Sequence, residues 1–206
     1  MKIAILGGTG PFGRALARRL KRAGHDVVIG SRDAERAQEA AAEIGVEGGP
    51  NQEIARGADL VVLAVNAEAA QQTAKALARA IGSTPLLCVA SELRFGEGGA
   101  RPGAKQRSLA ERVAAVVAGP VVAGLHSLAA KTLASDEPPD EDALVCGDDQ
   151  KTKELVLELA GRLVAGRTVD AGPLASARAL EGMTAVIVNV NRRYKAHAGL
   201  RVTGLP

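Results

Sequence analysis

Three glycines near the start of the chain carry the spacing that phosphate binding needs. Gly8, Gly10 and Gly13 lie in the string Gly7-Gly8-Thr9-Gly10-Pro11-Phe12-Gly13, a G-x-G-x-x-G pattern. The setting gives the spacing its force. The pattern follows the apolar run Met1–Leu6 and opens a stretch with Ala15, Leu16 and Leu20 at helical intervals. In a strand, turn and helix of this kind the first glycine takes the tight turn. The second lets backbone approach a pyrophosphate, and the third lets the helix lie close on the strand. Free N–H groups at the helix start then face the phosphates. Gly8, Thr9, Gly10, Pro11, Phe12 and Gly13 are therefore expected around a dinucleotide.

A second group of residues selects the dinucleotide. About 20 residues beyond the glycines, a site for the unphosphorylated nicotinamide cofactor carries Asp or Glu on the ribose 2′-hydroxyl. Here Ser31 and Arg32 stand at that offset, and Arg36 follows one helical turn later. A hydroxyl and two guanidinium groups suit a 2′-phosphate, so NADP is the expected cofactor. Asp33 is read as the cap of the second helix rather than a ribose ligand. Val65 with Asn66, and Ala90, close the strands at 59–65 and 84–90 and complete the expected cofactor set. His126 follows a strand at the carboxyl edge of the sheet, where ligands bind, and is the candidate catalytic residue. Two cysteines and three histidines scattered along the chain make no ligand cluster, so no metal is expected. The chain carries no Ser-His-Asp triad and no paired-carboxylate motif.

Apolar strands at 1–6, 26–30, 59–65, 84–90 and 120–124 alternate with helical patterns at 11–23, 33–44, 67–81 and 108–118. Ser108 and Glu111 have the spacing of a capping box. This alternation predicts an α/β, Rossmann-type, doubly wound and mainly parallel sheet. A strand at 143–147, a helix at 150–164, a strand at 168–171 and a long helix at 174–194 follow, and predict a smaller C-terminal α+β domain. The expected division is residues 1–125 for the NADP-binding domain and 126–206 for the part that completes a second-substrate pocket. Residues 91–107 read as a loop, and 125–142 as irregular. In the final helix Ala185-Val186-Ile187-Val188 is apolar on all sides and should be buried on all sides. Either it crosses the protomer or it packs against a second chain, and a homodimer is expected.

Composition removes other classes. The 206 residues carry a net charge of +3 and only three aromatic side chains, Phe12, Phe95 and Tyr194. That is no stacking platform for single-stranded nucleic acid, and no block of like charge suggests a nucleic-acid tail. Cys88 and Cys146 sit in apolar runs and read as buried free thiols. With no apolar leader and no membrane-length apolar run, a cytoplasmic address is expected.

Further strings resemble one family, the NADP-dependent reductases of the deazaflavin coenzyme F-420. They are Gly7–Gly13, Ser31-Arg32, His126 after Gly124-Leu125, Cys146-Gly147-Asp148-Asp149, Asp170-Ala171-Gly172-Pro173-Leu174 with Ser176, Arg178 and Glu181, and Asn191-Arg192-Arg193-Tyr194-Lys195. The resemblance implies a dimer that moves a hydride between NADP and the deazaflavin coenzyme as second substrate. It implies Thr9, Ser31, Arg32 and Arg36 at the 2′-phosphate and His126 near the deazaflavin ring. The chain departs from that family at Asn66-Ala67, Ser91-Glu92-Leu93 and Leu128-Ala129, all expected to line the second-substrate pocket. Two alternatives stand beside this reading. One is an NADP-dependent reductase of a small imine or carbonyl substrate, with His126, Lys131 or Tyr194 as proton donor. The other is a non-catalytic NADP-binding sensor.

Overall fold

Apolar residues in the first strand alternate between two cores, and this alternation sets the layers. In a computed structural model, which describes residues 1–205, β1 (Lys2–Leu6) sends Ile3 and Ile5 to one face and Ala4 and Leu6 to the other. It leads into α1 (Pro11–Arg22), β2 (Asp26–Ser31), α2 (Ala34–Ile44), β3 (Glu47–Pro50), the single turn α3 (Asn51–Ile54) and β4 (Leu60–Leu63). Leu60 and Val62 face the first core, Val61 and Leu63 the second. Then come α4 (Ala67–Ile81), β5 (Leu86–Cys88), β6 (Leu93–Gly96), β7 (Gly99–Pro102), α5 (Leu109–Ala114) and β8 (Val121–Gly124). The chain ends with α6 (Ala130–Leu133), β9 (Ala143–Gly147), α7 (Gln150–Gly161), β10 (Thr168–Asp170), a 3-10 turn at Leu174–Ser176 and α8 (Ala177–Tyr194).

Eight strands form one sheet in the order β10-β9-β8-β5-β4-β1-β2-β3. All neighbours are parallel except β8 and β9, which run antiparallel. The architecture is the α/β, Rossmann-type, mainly parallel sheet read from the pattern. The strands of the C-terminal segment extend that same sheet. The order reverses between β1 and β4, and ligands bind outside such a reversal at the carboxyl ends of the strands. One core packs residues of α1, α2 and α7 on the sheet, the other residues of α4, α5 and α8.

Several local expectations hold. Asp33 Oδ1 accepts from the Arg36 N–H and caps α2, and Gly45, at φ 74°, closes it. Ser108 and Glu111 form the capping box of α5. Cys88 and Cys146 are buried and free, and burial pushes both thiols up to about 12.

Two readings are corrected. Residues 91–107 contain an antiparallel hairpin, β6–β7, rather than loop alone. Its sequence is glycine-rich and charged because little of it is buried. Tertiary contact holds it: Asn189 of α8 accepts from the Ala100 N–H at 2.7 Å and donates to the Ala100 carbonyl at 2.8 Å. The apolar middle of α8 does not cross the centre of the protomer, the first of its two expected positions. Ala185 is enclosed, whereas Val186 is 60% exposed and Val190 36%, so within one protomer the helix covers the sheet with one face only.

Candidate functional site

The glycine turn forms at the reversal of the sheet. Gly7, at φ 74°, makes the tight turn, so this role belongs to Gly7 rather than Gly8. Gly8 and Gly13 permit close packing. A Cβ on Gly13 would lie 2.7 Å from Gly8 Cα, and a Cβ on Gly8 would lie 2.6 Å from Ile29 Cβ. Around Gly10 nothing of the protein comes closer than 3.8 Å to such a Cβ, which leaves its backbone open to the cleft. Pro11 takes the first position of α1, where its missing N–H costs nothing. The Phe12 and Gly13 N–H groups precede the first helical bond, from the Arg14 N–H to the Gly10 carbonyl.

A polar cleft of about 320 Å³ opens on one side of this turn. Thr9, Gly10, Pro11, Ser31, Arg32, Arg36, Val65 and Asn66 line it, together with Asn51 and Thr73, which sequence reasoning did not single out. Ser31 Oγ accepts from the Asp33 N–H at 3.2 Å. Neither Arg32 nor Arg36 is ion-paired to a carboxylate among the described residues. No acidic side chain lines this cleft, so it presents two unneutralised guanidinium groups and several hydroxyl and amide groups to whatever enters.

A second cleft, about 300 Å³, continues past the turn and shares Gly10, Pro11, Ala64, Val65 and Asn66 with the first. Phe12, Gly13, Val89, Ala90, Ser91, Leu93, Leu125, His126, Leu128 and Thr184 complete its lining. The three departures Asn66, Ser91 and Leu128 all face this space. Of the expected residues, Gly8 alone lines neither cleft; it supports the turn from beneath.

His126 reaches the second cleft through an unusual backbone. Leu125, which leaves β8 for this loop, has φ 64°, a left-handed conformation that costs a side-chain-bearing residue roughly 1–2 kcal/mol. The ring of His126 is 7% exposed and neither of its nitrogens has a hydrogen-bond partner. Burial pushes its pKa down to about 4, and the Ala90 carbonyl opposes this without cancelling it. Neutral at pH 7, the ring has one N–H to donate and one lone pair to accept with. Behind it Thr184 donates to the His126 carbonyl at 3.0 Å and its hydroxyl lies 2.8 Å from that of Ser91. Lys131 and Tyr194 are exposed and line neither cleft.

The segment after α6, a few residues beyond His126 in the chain, is held by Arg19, a residue not singled out from the sequence. Arg19 of α1, 7% exposed, donates to the carbonyls of Leu133, Ser135, Asp136 and Glu137. Its guanidinium thereby staples the 133–137 segment to α1. An arginine at one buried position of an otherwise apolar helix face is the only trace of this in the sequence.

The C-terminal strings lie elsewhere. Because β9 runs against β8, Gly147 ends it at the opposite edge of the sheet from Gly124. There Asp149 caps α7 through the Thr152 N–H, Asp148 accepts from the Leu174 N–H at 2.9 Å, and Asp170 pairs with Lys153 at 2.9 Å. Their role in the fold is structural. Glu181 is buried and accepts from the Ala110 N–H; Arg178 is exposed. His25 lies in the turn between α1 and β2, and His197 is exposed. Among the described residues no group of three or more His, Cys, Asp or Glu is placed to hold a metal ion.

Three kinds of comparison converge on this geometry. The sequence model of a family described as NADP oxidoreductase, coenzyme F420-dependent, matches residues 2–87. A protein of Methanothermobacter thermautotrophicus named F420-dependent NADP reductase is 35% identical, over all of this chain and 96% of its own length. A protein of the same name from Methanocaldococcus jannaschii is 34% identical, over all of this chain and 99% of its own. A crystal structure from Arthrobacter sp. FB24, provisionally assigned as an F420-dependent NADP-reductase, superposes with a TM-score of 0.87 at 25% identity, covering 99% of this chain and all of that one.

Proposed function

The chain belongs to the family of F420-dependent NADP reductases, and on that premise we propose that it transfers a hydride between NADP(H) and the deazaflavin coenzyme F420, held in the two clefts that meet at the glycine turn. The observation that carries the reading is the shared wall at Gly10, Pro11, Val65 and Asn66. A dinucleotide seated with its adenosine end at Ser31, Arg32 and Arg36 runs over the turn toward His126. Its nicotinamide end then borders the second cleft. The two coenzymes supply the hydride donor and acceptor carbons; the protein supplies orientation and exclusion of water.

Thr9, Ser31, Arg32 and Arg36 hold the 2′-phosphate in this reading, and the N–H groups at the start of α1 hold the pyrophosphate. Val65, Asn66 and Ala90 flank the nicotinamide end. His126, neutral and with both ring nitrogens buried, contributes its ring to the wall of the second cleft beside the flat second ring. The lining fits transfer between two ring systems better than reduction of a small imine or ketone. Such a substrate needs a proton donor, and a histidine pushed down to about 4 is not protonated at pH 7.

Residues 1–125 act as the nucleotide-binding part in this account, while 126–206 contribute His126, Leu128 and Thr184 to close the second cleft. The apolar face left open on α8, with Val186 and Val190, supports a homodimer packed through that helix. The cytoplasmic assignment rests on two buried thiols that are free. No helix is long and apolar enough to cross a membrane among the described residues.

The test mixes purified protein with NADPH and oxidised F420 and follows the nicotinamide absorbance, with NADH run in parallel. Turnover with NADPH and little with NADH is expected. Tight NADPH binding without turnover would turn the reading toward a nucleotide sensor.

A further inference from the structure

Asn51 joins the glycine turn to the polar cleft through its side chain. It follows Pro50 at the end of β3, and Pro50 is the register partner of Ser31. Although it is polar, Asn51 is only 6% exposed. Its Oδ1 accepts from the Gly7 N–H at 3.2 Å, across the end of β2. Space for this bond exists because residue 30 is glycine: a Cβ there would lie 2.4 Å from Asn51 Oδ1. Gly7, Gly30 and Asn51 thus form one unit, with the tight turn anchored to the strand end that carries Ser31.

The orientation of the amide follows from hydrogen-bond chemistry. A backbone N–H can only donate, so the atom facing Gly7 is the oxygen and Nδ2 points away from it. Nδ2 has no acceptor in the protein. It is also not among the buried polar atoms left without a partner, so it reaches the surface of the cleft that Asn51 lines. That surface holds no carboxylate to accept from a ribose 2′-hydroxyl. Its other polar side chains are those of Thr9, Ser31, Arg32, Arg36, Asn66 and Thr73.

We propose that Asn51 is a specificity-determining residue, whose Oδ1 anchors the turn through Gly7 while its Nδ2 donates to the 2′-phosphate corner of NADP. This rests on the NADP reading above and adds to it a donor from the floor of the cleft, separate from the exposed arginines. An amide in this place favours the phosphorylated ribose. A carboxylate in the same place would accept from the free 2′-hydroxyl of NAD and repel a phosphate.

Asn51→Asp separates the two roles. The carboxylate keeps an oxygen for the Gly7 N–H, so the turn is retained, but replaces the donor with a second acceptor. N51D is expected to raise the KM for NADPH about tenfold to a hundredfold, with kcat and the KM for NADH unchanged or improved. Asn51→Ala, which loses the Gly7 anchor as well, should weaken both nucleotides together. Equal losses for NADPH and NADH in N51D, or no change in either, would overturn the proposal. A measurement on the unaltered protein does not depend on how the variants fold. The Asn51 side-chain amide resonances should shift when adenosine 2′,5′-bisphosphate is added and stay in place with adenosine 5′-monophosphate. Equal response to both overturns the proposal. Wild-type protein that binds NADPH and NADH equally, or neither, overturns the NADP reading and this inference with it. Wild-type preference for NADPH together with equal N51D losses overturns only the role of Asn51.

Discussion

The two clefts on either side of the glycine turn are nearly equal in size and differ in charge. The first cleft is cationic and assembled from three stretches, 7–11, 31–36 and 64–73, with Asn51 beside them. The second cleft has no charged side chain in its lining and draws on segments around residues 12, 65, 90, 126 and 184. Recognition by charge tolerates exposure, because a guanidinium on a phosphate needs reach more than enclosure. Holding two flat rings face to face needs a dry, shaped space, which only packed tertiary structure supplies. The charge of the first cleft is thus readable from residue type, whereas the shape of the second depends on how distant segments pack.

The largest expected effect tests the charged side of this contrast. Replacing Arg32 and Arg36 together by alanine removes two charge-assisted hydrogen bonds, each worth roughly 1.5–3 kcal/mol. NADPH affinity should fall about a hundredfold or more, with NADH affinity nearly unchanged. Calorimetric titration with both nucleotides checks this, and equal losses would mean the arginines do not face the phosphate.

The packed side should respond through stability. Arg19→Ala would leave four carbonyls without their shared donor and loosen the segment after α6. A loss of about 2–4 kcal/mol in denaturant unfolding is expected, with NADPH binding in the first cleft retained. A variant as stable as the parent would show that the staple contributes nothing.

His126 supplies the sharpest pH test. Its pKa is pushed from 6.5 to about 4 by burial, so the unfolded chain takes up its proton first as pH falls. The stability associated with the neutral ring is complete above pH 6.5 and is lost as pH falls toward 4. The full loss is roughly 3 kcal/mol. His126→Asn should flatten that part of the stability profile. Turnover should show no inflection near pH 6.5, and one that vanished in the variant would mean the ring titrates as if exposed. The smallest effect is reserved for Ser91→Ala, which breaks only the hydroxyl contact to Thr184 and should cost about 1 kcal/mol in a thermal melt.

How much of this was readable in the sequence follows the same division. Ser31 and the two arginines come to the cleft of the glycine turn through the parallel pairing of β1 with β2, whereas the turn itself was legible because its spacing and its contacts are both local. The helix starts at Asp33 and Ser108 were legible for the same reason: a cap is a bond between near neighbours. The β6–β7 hairpin was not, since its stability comes from Asn189 some ninety residues away. Nor was the open face of α8, because a helix apolar on all sides states what must be covered and leaves the covering partner unnamed. The Asp170-Ala171-Gly172-Pro173-Leu174 string lies at the edge away from the clefts, where Asp170 accepts from the Gly172 N–H and the Leu174 N–H donates to Asp148.

By itself the sequence determined the alternating α/β layout, the glycine turn and NADP as a cofactor. Periodicity, glycine spacing and side-chain charge act over a few residues, so no folded structure is needed to read them. Only the tertiary structure decided that Asn51 meets Gly7 over the bare backbone of Gly30, that Leu125 turns the chain so a neutral His126 borders the second cleft, and that Arg19 fastens the segment after α6. Each of these depends on which distant segments the sheet order brings together, and burial rather than residue type then decides what charge a side chain carries there.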